Sequence, residues 1–160
     1  IGLLICPISA NALYPSDPSS VDVLKEDLHG KDLQNTEYVK YDLSGQDLGE
    51  SNLQGAYMSV TTAKNASFKG ANMKDLIAYA TRFDNADLSD ANLTNGELMK
   101  SVFDGANIDG ADFTDANLDL KTRKSLCERA TGTNSQTGVN TIDSLECTGL
   151  KGYMPPKPKA

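Results

Sequence analysis

The chain has 160 residues, 39% of them apolar, and a formal net charge of −7, enough for one packed domain with length left for tails. That excess of acid excludes direct, nonspecific contact with a nucleic-acid backbone, whose phosphates it would repel; it suits solubility, a basic partner or an imitation of DNA. Three cysteines (Cys6, Cys127 and Cys147) and the single His29 form no cluster with metal-ligand spacing, so neither a metal nor a cofactor is expected.

Residues 1–12, "IGLLICPISANA", are apolar and end on Ala10-Asn11-Ala12, small residues of the kind a signal peptidase accepts. They read as the remnant of a targeting peptide, with an ordinary apolar strand as the alternative. The stretch is too short to span a bilayer and no other candidate exists, so no transmembrane segment is expected in the mature chain. Cys6, between Ile5 and Pro7, is a poor lipid anchor. Cleavage after Ala12 would leave two cysteines, and an even count in an exported protein suggests a disulfide. Residues 13–27 form an N-terminal segment and cap, with Ser20 to Leu28 as a candidate short helix.

From Leu28 the sequence repeats every five residues. In "NADLSDANLTNG" Ala86 recurs as Ala91, Asp87 as Asn92 and Leu88 as Leu93. Stepping by five from Leu88 gives 19 centres from Leu28 to Leu118 without insertion, and all are large and apolar except Ala63 and Ala78. Two residues before most centres lies a small one, such as Ala56, Ala66, Ala71, Ala86, Ala91, Ala106 and Ala111. The slot between them favours Asp or Asn: Asp42, Asp47, Asn52, Asn72, Asp87, Asn92, Asn107, Asp112 and Asn117. A period of five matches neither a helix, at 3.6, nor a strand, at 2.

Two inward residues in five, one large and one small, make no core alone and need identical turns stacked above and below. The residue between them points outward, as in a short extended segment. The other two turn a corner, where Gly45, Gly55, Gly70, Gly105, Gly110, Asn65, Asn85 and Asn95 tolerate a left-handed backbone. Stacked coils should lie about 4.8 Å apart and pair their backbone groups. Leu76 precedes Ala78, so large and small exchange places there with inward volume kept.

"ADLSDANLTNG", "GANMKD" and "GANIDGADFTDANL" resemble the pentapeptide-repeat family, with its pattern Ala-(Asp/Asn)-Leu-x-x. The resemblance covers roughly residues 28–120. It implies an all-β solenoid, a right-handed quadrilateral β-helix with four pentapeptides per coil, here with short helical caps. Every fourth centre then stacks. Leu48, Phe68, Leu88 and Ile108 form one core ladder, and Phe83 lies under Phe103, filling space beside Ala63. The start departs from the pattern. Glu26, Lys31, Thr36, Tyr41 and Gln46 take the small inward slot, which suits an open end where polar groups reach water.

Residues 121–150 are the C-terminal cap. "LKTRKSLCERA" suggests a short helix over the last coil, inward through Leu120, Leu126 and Ala130; "TGTNSQTGVNTIDSLEC" follows, rich in turn formers. Cys127 and Cys147 either close a loop worth roughly 3 kcal/mol as a disulfide or remain two free buried thiols. "SLC" and "GTNSQTGVNTIDSLEC" resemble the C-terminal module of the thylakoid-lumen branch, which implies that the two cysteines are bonded and that residues 1–12 end a lumen-targeting peptide. Residues 151–160, "YMPPKPKA" at their end, form a flexible tail.

The aspartates have a repeat slot that explains them, a filled rod offers no cleft for paired carboxylates, and His29 reads as a surface histidine at the ragged first coil. No catalytic residue is expected. Nine acids and only Lys100 as base between Asp84 and Asp119, against four bases and one acid between Lys64 and Arg82, predict an unevenly charged exterior. The expected function is that of a non-catalytic, soluble lumenal scaffold or interaction module with an unidentified protein partner and no direct nucleic-acid contact. No sequence feature fixes dimerisation, which favours a monomer. The alternative is an acidic DNA-mimicking inhibitor of a topoisomerase.

Overall fold

The computed structural model describes residues 27–152. The expected targeting remnant, the N-terminal cap helix up to residue 26 and the tail from residue 153 lie outside them. From Leu28 to Leu118 the chain climbs as a coil in which each outward residue pairs with the one twenty positions on. Parallel bridges run Asp32–Asn52–Asn72–Asn92–Asp112, and the same step holds for the columns that begin at Glu37, Asp42 and Asp47. Four columns per twenty residues make four sides. The bridge residues sit between two inward ones, as an extended segment requires.

Corners recur every five residues. Nearly all are closed by a backbone bond to the carbonyl of the inward centre, for example Ala71 N to Phe68 O at 3.0 Å and Ala86 N to Phe83 O at 3.0 Å; after Ala78 the Thr81 amide donates instead to the Ser101 hydroxyl at 3.0 Å. The second corner residue has positive φ in an unbroken series of 18, from Gly30 to Asp115. Glycine and asparagine were the expected occupants. Yet Lys40, Glu50, Val60, Asp75, Ala80, Asp90, Lys100 and Asp115 adopt the same conformation. The stack above and below fixes each corner, so the coil imposes left-handed geometry on residues that do not prefer it.

The core is the column of centres together with the small slot. Leu48, Phe68, Leu88 and Ile108 are buried, as are Phe83 and Phe103. Phe83 and Phe103 stack at 5.1 Å and 15°, while Phe68 meets Phe83 edge-on at 5.6 Å. Leu76 and Ala78 are both fully covered. Thr61, Thr81 and Ser101 also occupy the small slot, and their hydroxyls donate to the carbonyls of Tyr38, Met58 and Ala78 one coil below. That satisfies groups whose burial would otherwise cost about 1–3 kcal/mol each. In the first coil Lys31 is exposed and Thr36, Tyr41 and Gln46 are half-buried.

Above Leu118 the chain leaves the coil. Helix α1 spans Leu120–Cys127 and stops at Glu128, short of Ala130. Leu120, expected to face inward, is 58% exposed, and Leu126 alone of the two leucines is buried. A single turn, α2, spans Thr141–Ser144. A disulfide joins Cys127 to Cys147, with Cα atoms 5.6 Å apart. Among the described residues, no helix is long and apolar enough to cross a membrane.

Candidate functional site

The aspartates and asparagines of the middle slot are engaged by the corners. In ten repeats the side-chain oxygen at this slot accepts the amide two residues on, as Asp42 does from Ser44 and Asp47 from Gly49, both at 2.9 Å. An Asx bond of this kind holds the turn that follows. It accounts for the Asp/Asn preference, which the period alone left unexplained. These bonds hold Asp42 and Asp47 below the usual carboxylate range: Asp42 chiefly through the Ser44 hydroxyl, Asp47 chiefly through the Gly49 amide. Neighbouring coils are stitched as well: Asn72 donates to Asn52 at 3.0 Å and Asn107 to Asp87 at 3.1 Å. Asp112 departs from its expected outward place. It is 1% exposed and bound to Thr114, because the returning C-terminal segment covers this level.

That segment closes the upper edge of the coil. Arg129 is partly buried and donates to Phe103 O at 2.5 Å and to Ala106 O at 3.2 Å. Its burial lowers its pKa, yet a guanidinium stays charged. Asn134, 1% exposed, places Nδ2 within 3.2 Å of the carbonyls of Asp90, Ala91 and Gly110. Ser135 binds the Asp90 carboxylate, and Gln136 reaches down to Gly70 O at 2.9 Å. The turn-rich stretch is therefore a strap down one corner.

Between this cap and the last coil lies a cleft of about 280 Å³, lined by Phe113, Asp115, Asn117, Arg123, Leu145 and Glu146 among others. The expectation of a rod without clefts fails at this seam. Arg123 Nη1 bridges to Glu146 Oε2 at 3.0 Å there. His29 is at the opposite end, with Nδ1 3.3 Å from Asp47 Oδ2. The structure therefore does not bring it to the cleft. Among the described residues, no group of His, Cys, Asp and Glu is arranged to hold a metal.

The exterior is uneven. Lys64, Lys69 and Lys74 occupy three successive corners midway up the rod, below coils that carry Asp84, Asp87, Asp90, Glu97, Asp104 and Asp109. Arg82 and Asp84 form a two-bond pair at 2.7 and 2.9 Å, and the Arg82 bond chiefly holds the Asp84 carboxyl down. The side bearing the column Glu37, Tyr57, Ile77, Glu97 differs from the rest. Among the described residues, the large exposed apolar side chains on the coil, Tyr57, Val60 and Tyr79, all lie on it or on the corner that follows, and the fourth, Leu120, opens α1. Lys100 Nζ sits 5.0 Å above the Tyr79 ring. This clustering is hidden in the sequence, where Tyr57 and Val60 lie about one coil away from Tyr79.

The model of the family described as pentapeptide repeats matches residues 42–75 and 81–119, in eight copies. The thylakoid lumenal protein TL20.3 of Arabidopsis thaliana is 58% identical over 43 residues, which are 27% of this chain and 15% of that protein. The thylakoid lumenal 15 kDa protein 1 of the same plant is 51% identical over 45 residues, 28% of this chain and 20% of that one. The chain thus spans a fifth or less of the curated relatives it matches. A solved pentapeptide repeat protein from the Arabidopsis thaliana thylakoid lumen is 32% identical, over 84% of this chain and 97% of that chain, with a TM-score of 0.32.

Proposed function

The chain belongs to the pentapeptide-repeat family, whose fold is a right-handed β-helix, and from that premise we propose that it is a non-catalytic scaffold or protein-interaction module. Its compartment is the thylakoid lumen of the chloroplast, shared with its relatives. The observation that carries the proposal is the commitment of side chains. The interior is filled by the coil, and the acid-rich middle slot is engaged in corner bonds. What is left to meet other molecules is an exterior of uneven charge, with a basic band below an acidic half, and such fields select and orient protein partners. The alternative, an acidic DNA imitation, requires a continuous negative surface. Lys64, Lys69 and Lys74 interrupt it.

Capture from thylakoid lumen extract on the immobilised, oxidised chain tests the proposal. A protein retained at low salt, released at high salt and lost on the triple change Lys64→Gln, Lys69→Gln, Lys74→Gln is the expected result. No protein retained by wild type in either salt would overturn it.

A further inference from the structure

We propose that this chain pairs with a second copy of itself, side by side and parallel, through the side that carries Tyr57, Val60, Ile77 and Tyr79. The inference goes beyond the scaffold reading and stands without it.

Three observations carry it. Where two other sides hold Asn52, Ser67, Asn72 and Asp87 in the outward slot and the third holds Thr62, Arg82 and a half-buried Val102, this one holds the exposed Tyr57 and the half-buried Ile77, which forgo the Asx bond at their corners. The corner itself carries Lys40, Val60, Ala80 and Lys100 at positive φ; each of the other three includes Gly or Asn. Residues suited to solvent and to the turn have thus been replaced by residues suited to contact. A clustered apolar surface on a folded protein marks an interaction site.

The third observation identifies the occupant. The side presents two neighbouring columns: Glu37, Tyr57, Ile77, Glu97 and Lys40, Val60, Ala80, Lys100. A two-fold axis parallel to the rod sets one column against the other at the same level. Glu37 then faces Lys40 of the second copy, Glu97 faces Lys100, and the apolar levels meet between them. An antiparallel pair sets Glu37 against Glu97 and Lys40 against Lys100, which repel. The surface is therefore complementary to itself in one orientation. A two-fold contact also closes without leading to a filament. An anionic lipid surface fits poorly, because Glu37, Asp42, Glu97 and Asp119 rim the patch.

Sedimentation equilibrium of the full oxidised chain tests the proposal. The expected result is a dimer that Glu97→Lys alone and Lys100→Glu alone each weaken by roughly tenfold or more, and that the two changes together restore. Glu50 already occupies a corner of the same geometry, so Lys100→Glu keeps the turn, and a thermal melt of each variant confirms the fold. An antiparallel dimer gives the opposite sign, since each single reversal then removes a repulsion. A monomeric mass up to about 1 mM, a dimer indifferent to both single changes, or a double change that fails to restore pairing would each overturn the proposal. A monomer that still captures a lumen protein leaves the scaffold reading in place.

Discussion

Val60 has φ 60° and a side chain branched at Cβ, a combination that the left-handed region tolerates poorly. It persists because the coils above and below fix the corner. Val60→Asn, the residue found at the equivalent corner positions 65, 85 and 95, should relieve strain and raise stability by about 1 kcal/mol, read as a shift in urea midpoint with unchanged slope. Were the side chain retained for contact, the same change would weaken self-association while stabilising the fold, so the two readouts would move in opposite directions. Asp84 gives a pH signature. Its folded pKa lies below the ordinary value, first because of the Arg82 hydrogen bond. The stabilisation is therefore complete above the unfolded value of about 3.9 and fades as pH falls through the folded value. Arg82 is half-exposed, so Asp84→Asn should cost less than about 1 kcal/mol at pH 7. In urea titrations across pH, the difference between wild type and variant should shrink as pH falls below the unfolded value, through the lowered folded one.

At the scale of elements, the cap answers the problem of the open edge, whose unpaired carbonyls would template aggregation. Arg129 and Asn134 supply by side chain the donors that a further coil would supply by backbone. Asn134→Ala should cost about 2–3 kcal/mol, because it strips buried carbonyls of their donor. Arg129→Met should cost about as much and also raise aggregation on heating, read by light scattering. Reducing Cys127–Cys147 should lower stability by about 2–4 kcal/mol on the entropic model. Protection against hydrogen exchange should fall first in α1, α2 and the strap, with the lower coils unchanged. The helix that starts the cap was legible in the sequence, and the contacts of the strap were not. The Cys127–Cys147 bond was legible, through the resemblance to the thylakoid-lumen branch, and the structure has it. Asn134, Ser135 and Gln136 read only as turn formers, since their partners Asp90, Gly110 and Gly70 are 24 to 66 residues away and no local pattern links them. The end of α1 was misplaced by three residues because Ala130 continued the apolar spacing.

For the whole molecule, the coil was legible because each repeat states its own inward and outward positions, and stacking only repeats them. The uneven charge of its exterior was legible as well, from the acids between Asp84 and Asp119 and the bases between Lys64 and Arg82; its apolar patch was not. Tyr57, Ile77 and Tyr79 are unremarkable singly and form a surface only after a step of twenty is applied. The same arithmetic makes length the sharpest test of the fold. Removing residues 69–73 deletes one whole repeat: centres still fall on centres and corners on corners, and every coil above turns by one side as a unit. The lost burial, about 1.5–3 kcal/mol for a large side chain, is nearly offset by the chain entropy no longer spent on five residues. That variant should fold cooperatively within roughly 2 kcal/mol of wild type. Removing Lys69 alone leaves a side of four residues, and downstream centres must then either turn outward or be rescued by a distorted corner. A register slip that exposes a core face costs far more than any single contact, so this smaller deletion should lose most of the cooperative transition. Parallel urea melts of the two deletions decide it: equal losses, or a worse outcome for the five-residue deletion, would contradict a coil built in steps of five.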